Sequence, residues 1–130
     1  MVQNLFDVKG KKAIVTGASQ GLGKGMAEGL MQAGAEVVLF DINPAIDALA
    51  EAYNHSGYTC HAVTVNVGER SQREAAFDKA LHMLGGRIDI LINAAGIQRR
   101  HACEDFPLED WDAVININQT AVFALCQLAA

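Results

Sequence analysis

The stretch KAIVTGASQGLGKG, Lys12 to Gly25, decides how the chain folds. Its opening, KAIVTG from Lys12 to Gly17, is an apolar run rich in β-branched residues that ends in glycine, the pattern of a buried strand. From Gly21 to Ala33 the apolar residues Leu22, Met26, Leu30 and Ala33 recur at helical spacing, and Gly34 follows as a stop. Between strand and helix stand Gly17, Gly21 and Gly23. Gly17 permits a tight turn, Gly21 lets the backbone approach a pyrophosphate, and Gly23 lets the helix sit close to the sheet. The amide end of the helix then faces the anion. Glycines also punctuate ordinary turns, and three of them alone are weak evidence. Their place at a strand-to-helix junction is what favours phosphate binding.

Working outward, short apolar runs alternate with longer amphipathic stretches. AEVVLFD, Ala35 to Asp41, is a second strand, and Asn43–Pro44 opens a helix through about Asn54. Tyr58 to Val67 is a third strand; Ser71 can cap a helix to about Leu84, with the stripe Ala75, Ala76, Phe77, Ala80, Leu81 and Leu84. Gly85–Gly86 ends it, and IDILINAAG, Ile88 to Gly96, is a fourth strand. A long helical pattern then runs from Pro107 to Ala130 through Leu108, Trp111, Val114, Ile115, Asn118, Val122, Leu125 and Cys126. The order βαβαβαβα argues a doubly wound α/β domain over residues 1–130, a parallel sheet with helices on both faces. Right-handed crossovers give the strand order 3-2-1-4.

Composition narrows the function. Of 130 residues, 51% are hydrophobic and 19% charged, which excludes a disordered chain. Ten Lys and Arg against fifteen Asp and Glu give a net charge of −5, the wrong sign for a general nucleic-acid binder. The uncharged apolar runs fall short of the ~20 residues a bilayer span needs. Cys60, Cys103 and Cys126 are odd in number and show no CxxC spacing, so neither a disulfide framework nor a zinc site is expected. The amino terminus lacks the features of a signal peptide, and a cytoplasmic protein is the default reading.

Several residues carry candidate chemistry. Asp41 lies at the end of the second strand, eighteen residues past Gly23, where a carboxylate can accept both ribose hydroxyls of an adenosine. A solvated turn with Asn43–Pro44 is the plainer reading of Asp41 alone, and the glycine loop tips the balance. Arg99, Arg100 and His101 follow the fourth strand's carboxyl end, where open α/β sheets bind ligands, and a guanidinium suits a carboxylate substrate. A solvated basic loop is the competing reading. No carboxylate is paired with His101 by spacing, so a substrate contact fits it better than a general base. His55, His61 and His82 share no ligand spacing, and no metal site is expected. Cys60 and Cys126 read as small core residues, and Cys103 lacks an activating neighbour. Trp111, Val114 and Ile115 read as a core face, and Glu104, Asp105, Glu109 and Asp110 as charges favouring the helix's amino end.

The glycine spacing is GxxxGxG after Thr16, and here the chain resembles the short-chain dehydrogenase/reductase family. TGASQGLG resembles the family's cofactor loop, LINAAG (Leu91 to Gly96) its NNAG segment with Ala94 in place of the second Asn, and WDAVININ the helix that delivers an active-site Asn, at Asn118. The resemblance implies a nicotinamide dinucleotide held by Gly17, Ser19, Gln20, Gly21, Leu22 and Gly23, by Asp41 and Ile42, by Asn66 and Val67, and by Asn93, Ala94, Ala95 and Gly96. It also implies that Asn118 supports a proton-relay water. Asn66 stands where much of the family has Asp, and its carbonyl can still accept from an adenine amine. Asp41 would repel a 2′-phosphate and Ile42 offers it no charge, so NAD is favoured over NADP, with Lys24 and Arg70 the cations that could reverse this.

More narrowly, GIQRRH followed by EDFPLEDWDAVININQTAVF is similar to the gluconate 5-dehydrogenases of that family. This implies a sugar acid, D-gluconate interconverted with 5-keto-D-gluconate, with 2-deoxy- or 3-deoxy-gluconate types as the alternative, and a homo-oligomer at full length. The family's proton-transfer set is a Ser and a Tyr-x-x-x-Lys that follow the NNAG segment. Only Tyr53 and Tyr58 occur here; both precede that segment and neither has Lys four residues on. The chain is therefore expected to be the amino-terminal part of a longer domain and inactive alone. A non-catalytic dinucleotide-binding module or sensor is the rival reading. A P-loop hydrolase is excluded because no GK[ST] follows the glycines.

Overall fold

The sheet is built from four parallel strands, β1 (Lys12–Thr16), β2 (Glu36–Asp41), β3 (Cys60–Thr64) and β4 (Ile90–Ile92), in the order β3-β2-β1-β4. This computed structural model describes residues 4–130. In register, Ala13 lies beside Val37 on one side and Ile90 on the other. Between the strands run α1 (Gly21–Gln32), α2 (Ile46–His55) and α3 (Arg70–Met83). The expected strand order and fold class are those observed.

Both faces of the central strands are apolar because helices cover both. Ile14, Val38 and Phe40 meet Phe77 and Ala80 of α3 on one face. Ala13, Val15, Val37 and Leu39 meet Ala27 and Met31 of α1 and Ile46 of α2 on the other. Side chains alternate along a strand, so a strand covered twice reads as a continuous apolar run. At the far end of the sheet Glu36 bridges Lys12 and His61, the latter at 2.8 Å. Burial alone would raise the Glu36 carboxyl, but the Lys12 and His61 contacts outweigh it and hold the group below its ordinary value.

Several expectations are corrected. The third and fourth strands are shorter than Tyr58–Val67 and Ile88–Gly96: past β3 the Asn66 amide donates to the Gln72 side chain, and past β4 the Ala94 and Ala95 amides donate to Thr16 Oγ1. The face of α1 that meets the sheet is Gly23, Ala27 and Met31, while Leu22 is 84% exposed. Close approach of the first turns of the helix to the sheet selects Gly23 and Ala27 and leaves Leu22 and Met26 outside. Pro44 lies in a turn ahead of α2, where the Asn43 side chain accepts from the Ala45 amide at 3.0 Å. Ser71 lies inside the first turn of α3, which starts at Arg70. Ala75 is exposed, and Arg73 takes a buried place instead, its Nη1 donating to the Val67 carbonyl at 2.8 Å.

The carboxyl-terminal helical stretch is not one regular helix. It comprises α4 (Leu108–Ile115), a π-helical turn at Asn116–Thr120, and α5 (Ala121–Ala129). Its buried residues are Ala121 and Leu125; Cys126 is exposed, and Trp111 is 58% exposed with Val114 and Ile115 half-buried. The expected core roles of Cys126 and of the Trp111 face therefore do not hold; this stretch buries Ala121 and Leu125 against the sheet and α3 instead. Among the described residues no helix is long and apolar enough to cross a membrane.

Candidate functional site

The glycine loop leaves β1 as anticipated, and each glycine has a separate reason to be there. At Gly17, with φ of 63°, an added Cβ would lie 2.7 Å from the Ala95 amide nitrogen. At Gly23 it would lie 2.1 Å from the Gly17 carbonyl oxygen. At Gly21, also left-handed with φ of 62°, nothing lies within 4 Å. Gly17 and Gly23 are thus demanded by the protein itself, while Gly21 borders open space that a ligand can enter.

That space is a cleft of about 520 Å³ over the carboxyl ends of the strands. Gly17, Ser19, Gln20, Gly21, Leu22 and Gly23 form one wall. Asp41, Ile42, Asn66 and Val67 form a second, and Ala94, Ala95 and Gly96 a third. Asn93 is the one expected cofactor contact that does not line it; its Nδ2 donates to Cys126 Sγ at 3.4 Å instead. Phe40, Val65, Ile97 and Ile117 also line the cleft and were not anticipated. They are apolar residues that only the fold brings to its mouth.

Asp41 does more than face the cleft. Its Oδ2 accepts from the Ser19 amide at 3.0 Å and its Oδ1 from the Asn43 amide at 2.9 Å, so the carboxylate ties the glycine loop to the end of β2. Each oxygen keeps acceptor capacity for a further donor. Asn66 is similarly employed, its Oδ1 accepting from the Gly68 amide at 3.0 Å. Thr16, buried at the end of β1, has a role that its place in the sequence does not disclose. Its Oγ1 accepts from both the Ala94 and Ala95 amides at 3.0 Å and so fixes the loop after β4 against the glycine loop.

The π-helical turn reaches both sides of the cleft. Asn116 Nδ2 donates to the Gly68 carbonyl at 2.9 Å. Asn118 takes both halves of one residue's backbone: its Oδ1 accepts from the Ile97 amide and its Nδ2 donates to the Ile97 carbonyl, each at 2.9 Å. Ile97 is the wall between this cleft and a second cavity of about 630 Å³, since it lines both.

The second cavity is bordered by Arg99, His101, Cys103, Phe106, Trp111 and Asn118, among others, and Arg100 is not among them. His101 was expected to lack a carboxylate; the structure corrects this, with Nε2 2.7 Å from Asp110 Oδ2. Spacing hid the pair because the chain reverses between residues 101 and 110. Asp110, expected only to favour the helix end, also lies 3.5 Å from Arg99 Nε. Arg100 meets the Gln98 amide oxygen, to which its Nε and Nη2 donate at 3.0 and 2.9 Å. Among the described residues neither cavity is lined by Tyr or Lys. Tyr53 donates to Glu28 at 2.6 Å, and burial together with that carboxylate pushes its hydroxyl well above the usual range. The described residues hold no cluster of His, Cys, Asp or Glu suited to a metal ion.

A parallel sheet ordered 3-2-1-4, with a glycine-lined cleft at the point where the order reverses, defines a dinucleotide-binding α/β domain. The short chain dehydrogenase family model matches residues 11–130, and the chain belongs to that family. Among curated relatives it is 39% identical over 127 residues to the 5-keto-D-gluconate 5-reductase of Escherichia coli, covering 97% of this chain and 50% of that enzyme. It is 36% identical over 129 residues to the 2-dehydro-3-deoxy-D-gluconate 5-dehydrogenase of Bacillus subtilis, covering 98% and 50%. Among solved structures it is similar to a gluconate 5-dehydrogenase of Burkholderia cenocepacia in complex with NADP and tartrate, with a TM-score of 0.84, 36% identity, and 93% and 48% of the two chains covered. The chain spans about half the length of the relatives it matches.

Proposed function

We propose that this chain holds the adenosine and pyrophosphate of a nicotinamide dinucleotide and serves a sugar-acid oxidoreductase. The observation that carries the reading is the open space at Gly21 facing a carboxylate, Asp41, already fixed by two backbone amides. The pyrophosphate would lie over Gly21 at the amino end of α1, and Asp41 would accept from the ribose hydroxyls. Bound there, a nicotinamide group supplies the means of hydride exchange with a secondary alcohol or ketone. Ile97, held by Asn118, borders both the cleft and the second cavity, so the two are neighbours. Of Arg99, Arg100 and His101, the two that border the second cavity, Arg99 and His101, are the proposed contacts of the substrate carboxylate, and Asn118 the holder of a proton-relay water.

NAD is the preferred cofactor. A 2′-phosphate would meet the Asp41 carboxylate, and the two cations that could offset this are engaged on their own helices, Lys24 with Glu28 at 3.9 Å and Arg70 with Glu74 at 2.9 Å. Turnover by these 130 residues alone is not expected, because no Tyr or Lys borders either cavity to move a proton.

Titrating NAD⁺ and NADP⁺ into isotopically labelled chain tests the reading. Amide shifts at Gly17–Gly23, Asp41–Ile42, Asn66–Val67 and Ala94–Gly96, with tighter NAD⁺ binding, are the expected result. Shifts elsewhere would overturn the site, and tighter NADP⁺ binding the cofactor preference. A gluconate-dependent NADH signal from the pure chain would overturn the expected inactivity.

A further inference from the structure

Of the four acidic residues between 104 and 110, Asp110 alone meets the basic side chains of the loop after β4. Its Oδ1 lies 3.5 Å from Arg99 Nε and its Oδ2 2.7 Å from His101 Nε2. Arg99 Nη1 donates to the Gln98 carbonyl at 3.1 Å and Nε faces Asp110 as an ion pair, while Nη2 has no partner among the described residues. His101 meets Phe106 at a ring separation of 5.1 Å and an interplanar angle of 83°, and its free nitrogen is Nδ1. Arg99, His101 and Phe106 border the second cavity, whereas Asp110 does not.

We propose that Asp110 is a positioning residue for anionic ligands: it directs the remaining donors of Arg99 and His101 into the cavity while removing one unit of positive charge beside it. This rests on the sugar-acid reading of that cavity given above. Two effects oppose each other. The Asp110 charge weakens attraction for an incoming carboxylate, but at partly exposed groups that attraction is screened. Against it, Asp110 fixes two rotamer-rich side chains that a ligand would otherwise have to order on binding. Ordering outweighs charge. A simple counter-charge and a positioning group therefore predict opposite signs for one substitution.

The test measures gluconate and, separately, glucitol, an uncharged polyol, binding to the chain in the presence of NAD⁺. Asp110→Asn makes the site more positive, yet gluconate should bind about three- to tenfold more weakly. Glucitol affinity should stay within about twofold, Asp110→Glu should recover part of the loss, and the loss should persist at about 0.5 M NaCl. Nitrogen shifts of the His101 ring, recorded on the same samples, should move toward a freely exchanging imidazole. Asp110→Ser provides a second variant of the same sign should Asp110→Asn fold poorly. Unchanged or tighter gluconate binding by both variants would overturn this inference alone. Absence of gluconate binding by the unaltered chain would overturn the sugar-acid reading, and this inference with it.

Discussion

At Gly23 an added methyl group would lie 2.1 Å from a backbone oxygen, whereas at Arg99 a whole side chain stands 44% exposed, with a single carboxylate 3.5 Å away. These two positions typify the two cavities. The cleft is a backbone construction: glycines, buried Thr16 and the ends of β1 and β2 fix it, and the ties they make are to backbone amides. The second cavity is a side-chain construction on a loop and the outer face of α4, held by ion pairs that water can reach. A backbone site is as rigid as the fold that carries it, so changes there should alter stability and binding together. A side-chain site can change its ligand preference while the fold barely notices.

The sharpest way to break this contrast is Gly23→Ala. The clash is with backbone, which cannot rotate away, and the expected loss is about 3 kcal/mol in urea unfolding. A loss below about 1 kcal/mol would show that α1 can slide outward and that the cleft is softer than described. Thr16→Val comes next. It leaves the Ala94 and Ala95 amides without an acceptor and should destabilise by about 2 kcal/mol, with hydrogen exchange quickening at those two amides. Gly21→Ala sharpens the contrast from within the cleft. Its left-handed backbone costs about 1 kcal/mol, no neighbour is touched, and dinucleotide affinity in a fluorescence titration should fall about tenfold.

The smallest effect lies far from both cavities. Glu36 is held below its ordinary value of 4.5, so its contribution to stability is present above that pH and is lost as pH falls through the folded value. Glu36→Gln should flatten the acid limb of the stability profile by less than about 1 kcal/mol while dinucleotide affinity at neutral pH is unchanged. A steep acid limb surviving in that variant would assign the dependence to other carboxylates.

The same contrast explains what the sequence could disclose. The strands, the glycine loop and the place of Asp41 are legible because they depend on local spacing: a β-branched run, a glycine at a junction, an acid at a strand end; the strand order follows from the handedness of the crossovers. The stripe of α1 was misread by one position, since Leu22 and Met26 are more hydrophobic than Gly23 and Ala27 and periodicity weighs hydrophobicity, not room. Thr16 escaped notice because its partners lie nearly eighty residues away. The His101–Asp110 pair escaped for a related reason, as only the folded reversal after Cys103 brings the two together. Arg73, buried in a helix face otherwise made of Ala and Phe, breaks an apolar pattern whose rule has no place for a guanidinium bonded to a loop carbonyl.

The π-helical turn has a mechanical consequence. Through Asn116 it is buttoned to Gly68 beyond β3, and through Asn118 to Ile97 beyond β4, so segments on opposite flanks of β1 are fastened to the same five residues. Neither can swing away without disturbing the fastening of the other. Thermal opening of these segments is therefore a shared event rather than two private ones, and the Ile97 amide, whose acceptor is Asn118 Oδ1, keeps its count.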